Sequence, residues 1–458
     1  MPVEGPLKSG GAVSRFATHY GMLGVLALLG LFFSWVTIQE QDRTGADAAK
    51  YLARRLAADA PKPSRVLIVA KAGEEDARFA DTLEAILKKE GFTVAGKVQG
   101  DPREAKKALQ EIADAGGRLD VIATTREGAD WQVLATAGRA FPALAGVKVR
   151  IPATYTWPTF LKIENLKNVA NQIVVIAVVA IGMTMVIITG GIDLSVGSLI
   201  ALSAVVAAWL IRRAGGEGAS GAALVFACLG AIAACGLVGA FSGLVITVFR
   251  IPPFIATLGM MQVASGLAFL LAQGQSIYQI PDSFTWLGRG ADLVGLPNAV
   301  ILMVLLYAAA WVLMSRTVLG RYIYAVGGNR EATRLSGIRV RTVLLFVYVA
   351  SGLAAGLGGV VTASQLKSGA PTYGQMYELY VIAAVVVGGT SLAGGEGKVL
   401  GTLIGAFIIA VIWNGMNLTH VESYTQKVVL GLVILAAVLL DTLKTRSWPW
   451  RFLTRPPV

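Results

Sequence analysis

The chain is poor in charge, cysteine and histidine, and each shortage removes a class of function. Only 15% of its 458 residues are charged, against 55% hydrophobic. That balance excludes a disordered chain and puts a polytopic membrane protein first. The two histidines, His19 and His420, stand apart with no Cys or acidic cluster beside them, so no metal site is expected. Cys228 and Cys235 share one apolar stretch and lie seven residues apart. On a helix that is roughly 10 Å, too far for a bridge, so two buried free thiols are expected and redox compartment stays open. No nucleophile, base and orienting residue form a recognisable array. No stretch completes a phosphate loop either. The nearest, GGTSLAGGEGK at 388–398, has Leu392 where the first loop glycine belongs and Val399 where Ser or Thr should follow the lysine. Neither catalysis nor nucleotide hydrolysis is expected of this chain.

What is abundant is apolar sequence. Apolar runs near 21–39, 169–189, 194–211, 221–248, 254–273, 296–314, 343–364, 379–393, 399–418 and 426–441 predict ten membrane spans, the eighth short for a full crossing. The first run is long and no small-x-small site follows it, so an uncleaved span is expected rather than a signal peptide. The net charge of +12 clusters at span ends, which argues against nucleic acid. Arg316, Arg321, Arg330, Arg334, Arg339 and Arg341 crowd one loop, and Lys444, Arg446, Arg451 and Arg455 the tail. The opposite loops hold Arg212, Arg213, Arg289, Lys367 and Lys427. This asymmetry predicts both termini in the cytoplasm, with 1–40 forming the N-terminus and first span and 442–458 a cytoplasmic tail.

Residues 41–160 differ, being charged and carrying soluble periodicities. Strands at 65–70, 92–98, 119–124 and 147–151 alternate with helices at 76–89, 102–115 and 127–139, which predicts a small parallel sheet outside the membrane. Ligands of such sheets sit beyond the carboxyl ends of the strands. Here those ends supply Lys71, Gln99, Asp101, Thr124, Thr125 and Arg126. The expected fold is therefore an all-α polytopic membrane protein of about ten transmembrane helices, with an inserted small α/β domain at 41–160 and the permease body at 161–441.

Three motifs carry most of the functional signal. In GMTMVIITGGIDLSVGS (182–198), a glycine pair breaks an apolar span just before Asp193 and Ser195. An Asp at a helix centre costs about 2.5–3.5 kcal/mol to insert, so such acids serve function or line a protected cavity. Irregular backbone at that depth survives only where protein or water covers it. The second, GRYIYAVGGNREATRLSGI (320–338), predicts a short polar helix opened by Gly327-Gly328 and closed by Gly337. It is either a docking surface for a cytoplasmic partner or an ordinary solvated loop. The third is glycine at four-residue spacing: Gly397, Gly401 and Gly405, with Gly352/Gly356 and Gly239/Gly243. Close helix packing is expected there. Asn414 and Asn417 either bond a polyol in a path or join helices, the second reading being favoured.

These phrases, with PTFLKIENLKNV, IPPFIATLGMMQVASGLAFLL and ELYVIAAVVVGGTSLAGGEGKVLGTLIGAFIIAVIWNGMNL, span most of 157–441 in order. Together they resemble the permease subunits of bacterial ABC importers for monosaccharides, of the ribose, xylose and galactoside type. The resemblance implies a ten-span inner-membrane permease working as a homodimer or permease pair. It further implies two ATPase subunits that bind ATP and Mg, no cofactor in this chain, and an external sugar-binding protein. It makes Gly327, Gly328, Asn329, Arg330, Glu331, Ala332, Thr333, Arg334, Leu335, Ser336 and Gly337 the segment that couples to the ATPase. Asp193, Ser195, Asn414 and Asn417 are carried forward as candidates for the path. Two departures stand out: family members commonly read ELDAIAA where this chain has ELYVIAA (378–384), and often carry Arg where it has Ser265. The insert is a third. Its phrase GFTVAGKVQGDPREAKKALQEIADAGGRLDVIATT resembles the first lobe of periplasmic sugar-binding proteins, but there is room for one lobe only and no aromatic turn follows its first strand. Half a clamp should bind free sugar weakly, so docking a partner or regulating access is expected first. An ion-coupled carrier would need charged relays within the spans, where Asp193 is nearly alone. A receptor sensing through the outer lobe would need a cytoplasmic signalling domain, for which the tail is too short.

Overall fold

The computed structural model describes residues 12–293 and 295–445. Arg446, Arg451 and Arg455, used in the expected topology, lie outside these residues, as do the side chains of His19 and Lys444. The chain divides into two compact units, Ile38–Pro158 and the sequence flanking it.

The first helix, α1 (Ala12–Val36), precedes the insert. The insert opens with β1 (Ile38–Gln41), which pairs antiparallel with its last strand and sets Ile38 opposite Pro158, so chain entry and exit are adjacent. Next comes α2 (Gly45–Asp59), which buries Ala48, Ala49, Leu52, Ala53 and Leu56 at helical spacing. The β2 strand (Arg65–Lys71) is central, with its five inner residues buried. In α3 (Glu74–Lys89), three acids in the first turn and two lysines in the last complement the helix dipole. After β3 (Thr93–Gly100), α4 (Pro102–Asp114) starts on Pro102, with Asp101 accepting from the amides of Arg103 at 2.8 Å and Glu104 at 3.1 Å. The unit closes with β4 (Val121–Thr124), β5 (Lys148–Arg150) and β6 (Tyr155–Pro158). The parallel order is β3-β2-β4-β5, with one hydrophobic core on each face. The helix expected at 127–139 is instead three single turns, Arg126–Ala129, Gln132–Ala135 and Ala137–Ala140. Gly128, Thr136 and Gly138 are weak helix formers, and burying Leu134 and Phe141 outweighs continuity. The pairing of β1 with β6 and the whole of α2 were not anticipated.

Among the described residues of the second unit, seven helices are long and apolar enough to cross a membrane. They are α5 (Ile163–Ile188), α6 (Val196–Arg213), α7 (Gly221–Val248), α8 (Pro253–Ala272), α9 (Asn298–Arg316), α12 (Val340–Leu366) and α14 (Val399–Leu418). Between α9 and α12 lie α10 (Val318–Gly328) and the short α11 (Arg330–Leu335). Three further apolar helical stretches are shorter: Gly21–Val36 within α1, α13 (Tyr377–Val387), and Ser423–Leu439 within α15 (Ser423–Thr445). They occupy the other expected span positions, but α13 is 11 residues where a run of 379–393 was expected.

Apolar on every side, α5 is buried from Ile173 through Ile188. Its neighbour α12 packs on α7 through glycines. A Cβ on Gly239 would lie 2.3 Å from the Tyr348 carbonyl, and one on Gly352 2.4 Å from that of Cys235. Likewise Gly405 faces the Ala384 carbonyl, which an added Cβ would approach to 2.1 Å, so the four-residue glycine spacing does serve close packing. Both cysteines are free, Cys235 buried and Cys228 partly so.

Candidate functional site

The end of α5 sets up the site. Thr189 closes the helix, and Gly190, at φ +73°, makes the left-handed turn that non-glycine residues rarely adopt. The chain then doubles back through Gly191 and Ile192 to Asp193. That carboxylate is 1% exposed. It accepts from the Ser195 amide at 3.0 Å, the Ser195 hydroxyl at 2.6 Å and the Ser351 hydroxyl of α12 at 2.7 Å. These three donors satisfy the oxygens of a carboxyl that water does not reach. The Thr257 hydroxyl of α8 reaches the Ile192 carbonyl at 3.2 Å and accepts from the Leu194 amide at 3.1 Å. Asp193 thus fastens the start of α6 to α12, and Thr257 fastens it to α8.

Immediately beyond them is a cavity of about 290 Å³. Gly197, Ser198 and Ala201 of α6 line it, with Met261, Gln262 and Ser265 of α8, Pro371 and Tyr373–Met376 of the connecting loop, and Glu378 of α13. Two interrupted helices, α6 and α13, begin here. At 1.5 Å per residue α13 is about 16 Å long, half a crossing. The first amides of each helix have no partner within it. Gly197 is obligatory: a Cβ there would lie 2.2 Å from a Glu378 carboxylate oxygen and 2.6 Å from the Gly374 carbonyl. The lining offers hydroxyl, amide and carboxylate groups beside two methionines. Among the described residues no group of His, Cys, Asp and Glu is arranged to hold a metal.

Asp193 and Ser195 do not line this cavity; they position the helix that does. Asn414 and Asn417 belong to other networks. Asn414 exchanges amide hydrogen bonds with Asn165 at 2.9 and 3.0 Å, and Asn417 accepts from Gln426 at 2.8 Å. Of the cavity residues, Glu378 and Ser265 lie in or beside the two departures noted in the sequence, while Gln262, Ser198 and Tyr373 carried no signal. Tyr380, the other departure, stacks near Trp413 (5.5 Å) and Tyr377 (6.2 Å).

The 320–338 segment is helical but broken elsewhere than expected. Gly327 and Gly328 end α10, and the break falls at Asn329, whose side chain caps α11 by accepting from the Ala332 amide at 2.9 Å. Gly327 packs against backbone: a Cβ there would sit 1.8 Å from the Ile188 carbonyl oxygen and 2.5 Å from the Gly395 nitrogen. From α11, Arg330 donates to the Thr189 carbonyl at 2.9 Å. Buried Thr333 donates within 2.8 Å of the Ala325 and Asn329 carbonyls, and the Ser336 hydroxyl bonds the Ala332 carbonyl at 2.9 Å. Outward lie Leu335 and the Glu331–Arg334 pair at 2.5 Å, in which each partner holds the other charged. Gly337, at φ +82°, ends the turn.

In the insert, Asp101 is spent on capping α4 and Gln99 turns to Asp81 at 3.5 Å. Lys71, Thr124, Thr125 and Arg126 gather at the ends of β2 and β4. Lys71 pairs with Glu127 at 3.2 Å and Arg126 with Asp42 at 3.9 Å. Asp76, missed in the sequence, joins them with its carboxyl pushed up by burial and by Glu127.

Residues 165–438 match the family described as branched-chain amino acid transport system / permease component. The ribose import permease RbsC of Escherichia coli K12 is 46% identical over 291 residues, 63% of this chain and 88% of that protein. RbsC of Bacillus subtilis is 44% identical over 290 residues, again 63% and 88%. The D-allose transport system permease AlsC of E. coli K12 is 37% identical over 284 residues, 62% and 85%. No solved structure matches. The compact insert falls before the family match begins. This chain belongs to that family of transport-system permease components.

Proposed function

We propose that this chain is the membrane-spanning permease of an ATP-driven importer for a monosaccharide, with D-ribose the first substrate to test. The observation that carries the reading is the 46% identity to a ribose import permease over 291 residues, in a chain whose family match at 165–438 includes both the cavity and the 320–338 loop. The chemistry of the cavity agrees with it. Hydroxyl, amide and helix-terminal N–H groups beside one carboxylate suit an uncharged polyol better than an anion or a branched aliphatic side chain.

In this reading α1, α5–α9 and α12–α15 are ten membrane segments, α13 crossing together with the loop before it. Both termini and the 320–338 loop are cytoplasmic, and the insert is outside. Two ATPase subunits hold ATP and Mg, and this chain needs no cofactor. The loop docks on them through Glu331, Arg334 and Leu335. A second permease, of the same chain or a related one, completes the path along α8. That helix leaves Gly259 and Gly266 with open space, and exposed Gln262 lies between them. An amide facing lipid is unfavourable, whereas one facing an aqueous path is not. An external binding protein delivers the sugar, and the insert docks that partner or regulates access rather than capturing sugar itself.

Co-expression with the ATPase that co-purifies, followed by uptake into proteoliposomes from a panel of radiolabelled sugars, each supplied with a sugar-binding protein, tests this. ATP-dependent uptake of ribose or a close relative is expected. ATP-dependent uptake of branched-chain amino acids and no sugar would overturn it.

A further inference from the structure

Helix α5 ends in a carbonyl that has no helical partner, as all helix C-termini do. Thr189 supplies that carbonyl, and the Arg330 guanidinium donates to it at 2.9 Å. A cation there is doubly favoured, by the charged hydrogen bond and by the negative end of the helix dipole. Next in the chain, Gly190 lies against the same guanidinium: a Cβ on it would be 3.8 Å away. Gly191 faces the Tyr348 hydroxyl, 2.5 Å from where its Cβ would be. That hydroxyl is buried without a hydrogen-bond partner and within electrostatic reach of both Asp193 and Arg330. Two residues on, Asp193 holds Ser195, where α6 and the cavity lining begin.

A short hinge, Thr189 to Ser195, therefore has α11 gripping one end and the cavity helix hung from the other. We propose that Arg330 is a positioning residue of the transport cycle: clamped on the Thr189 carbonyl, it passes movements of α11 through the hinge to α6 and the cavity. The hinge suits this role. A left-handed glycine at its start bends more readily than helix, and the unpaired Tyr348 hydroxyl beside it leaves an acceptor to be gained in a second arrangement. Arg330 touches no solute and acts only through Thr189.

The proposal rests on the importer reading, and its test separates the two. Arg330→Gln and Arg330→Lys are compared with the parent chain, each in complex with the co-purified ATPase and reconstituted in proteoliposomes with a sugar-binding protein, D-ribose or the panel sugar taken up serving as probe. Sugar moved per ATP hydrolysed should fall about tenfold in R330Q, the scale of one charged hydrogen bond, and R330K should restore most of it. Amide exchange of the full-length chain in nanodiscs should rise at 190–194 in R330Q and leave the insert unchanged. An unaltered ratio in R330Q overturns the proposal. So does an equal loss in R330Q and R330K, or unaltered exchange at the hinge. Absence of ATP-dependent uptake of every sugar in the panel by the parent complex overturns the importer reading itself, and the proposal with it.

Discussion

Asp193 shows how a buried carboxyl is satisfied. Its three donors come from two hydroxyls and one amide, with no cation among them. Asp193→Ala strands these donors in the interior and should lower stability by about 3 kcal/mol or more. Asp193→Asn should lose less, because the Ser351 hydroxyl can turn to accept from the new amide. Thermal unfolding in detergent, followed by tryptophan fluorescence, checks the order. At the insert surface, Lys88 and Lys97 bond Glu84 at 2.7 Å each and hold its carboxyl down at about 2, against 4.5 ordinarily. A depressed carboxyl stabilises the fold fully above the ordinary value, and the contribution disappears as pH falls through about 2. After solvent screening it is about 1 kcal/mol, so Glu84→Gln should destabilise at pH 7 and flatten acid unfolding between pH 4.5 and 2. An acid profile identical to the parent's would contradict the pairing. Asp193 was legible in the sequence because charge is rare in apolar spans. Glu378, Gln262 and Ser265 were not read as neighbours, since only the fold joins three segments distant in sequence into one cavity. The same holds for Asn414, whose partner Asn165 lies 249 positions away.

At the scale of elements, glycine sets what can move and what cannot. Where α7 meets α12, Gly239 and Gly352 leave no room for a methyl group. Gly352→Ala should cost about 1–3 kcal/mol through overpacking, whereas alanine at Gly259 of α8, which faces open space, should leave folding unchanged. Detergent melting temperatures of the two variants check this contrast. The exposed face of α11 presents Glu331 and Arg334 outward, so Glu331→Arg leaves two like charges side by side there. ATP hydrolysis should continue in the complex while sugar uptake per ATP drops about tenfold; an unchanged ratio would remove this face from coupling. Long apolar helices were legible from hydropathy, and the parallel strands from their alternation with amphipathic helices. Boundaries set by single residues were not, because a cap such as Asn329 is a local competition that periodicity does not register. The Ala-rich α2 was missed because its charged residues masked a narrow apolar stripe.

At the scale of the whole molecule, a transport permease carries a unit with its own two cores, lying before the family match. Its entry and exit strands are paired, so the unit can be cut out at that ribbon and closed with a short turn. If the insert only regulates or docks, calorimetry of the isolated unit should show no micromolar binding of ribose, and micromolar binding would overturn that ranking. In the proposed reading the chain supplies a path and a lever while a separate subunit supplies the energy. Uptake of D-ribose against a gradient, in liposomes holding this chain with and without its ATPase partner, tests that division most directly. Accumulation only with the ATPase and ATP is the predicted result; uphill accumulation by this chain alone would contradict it.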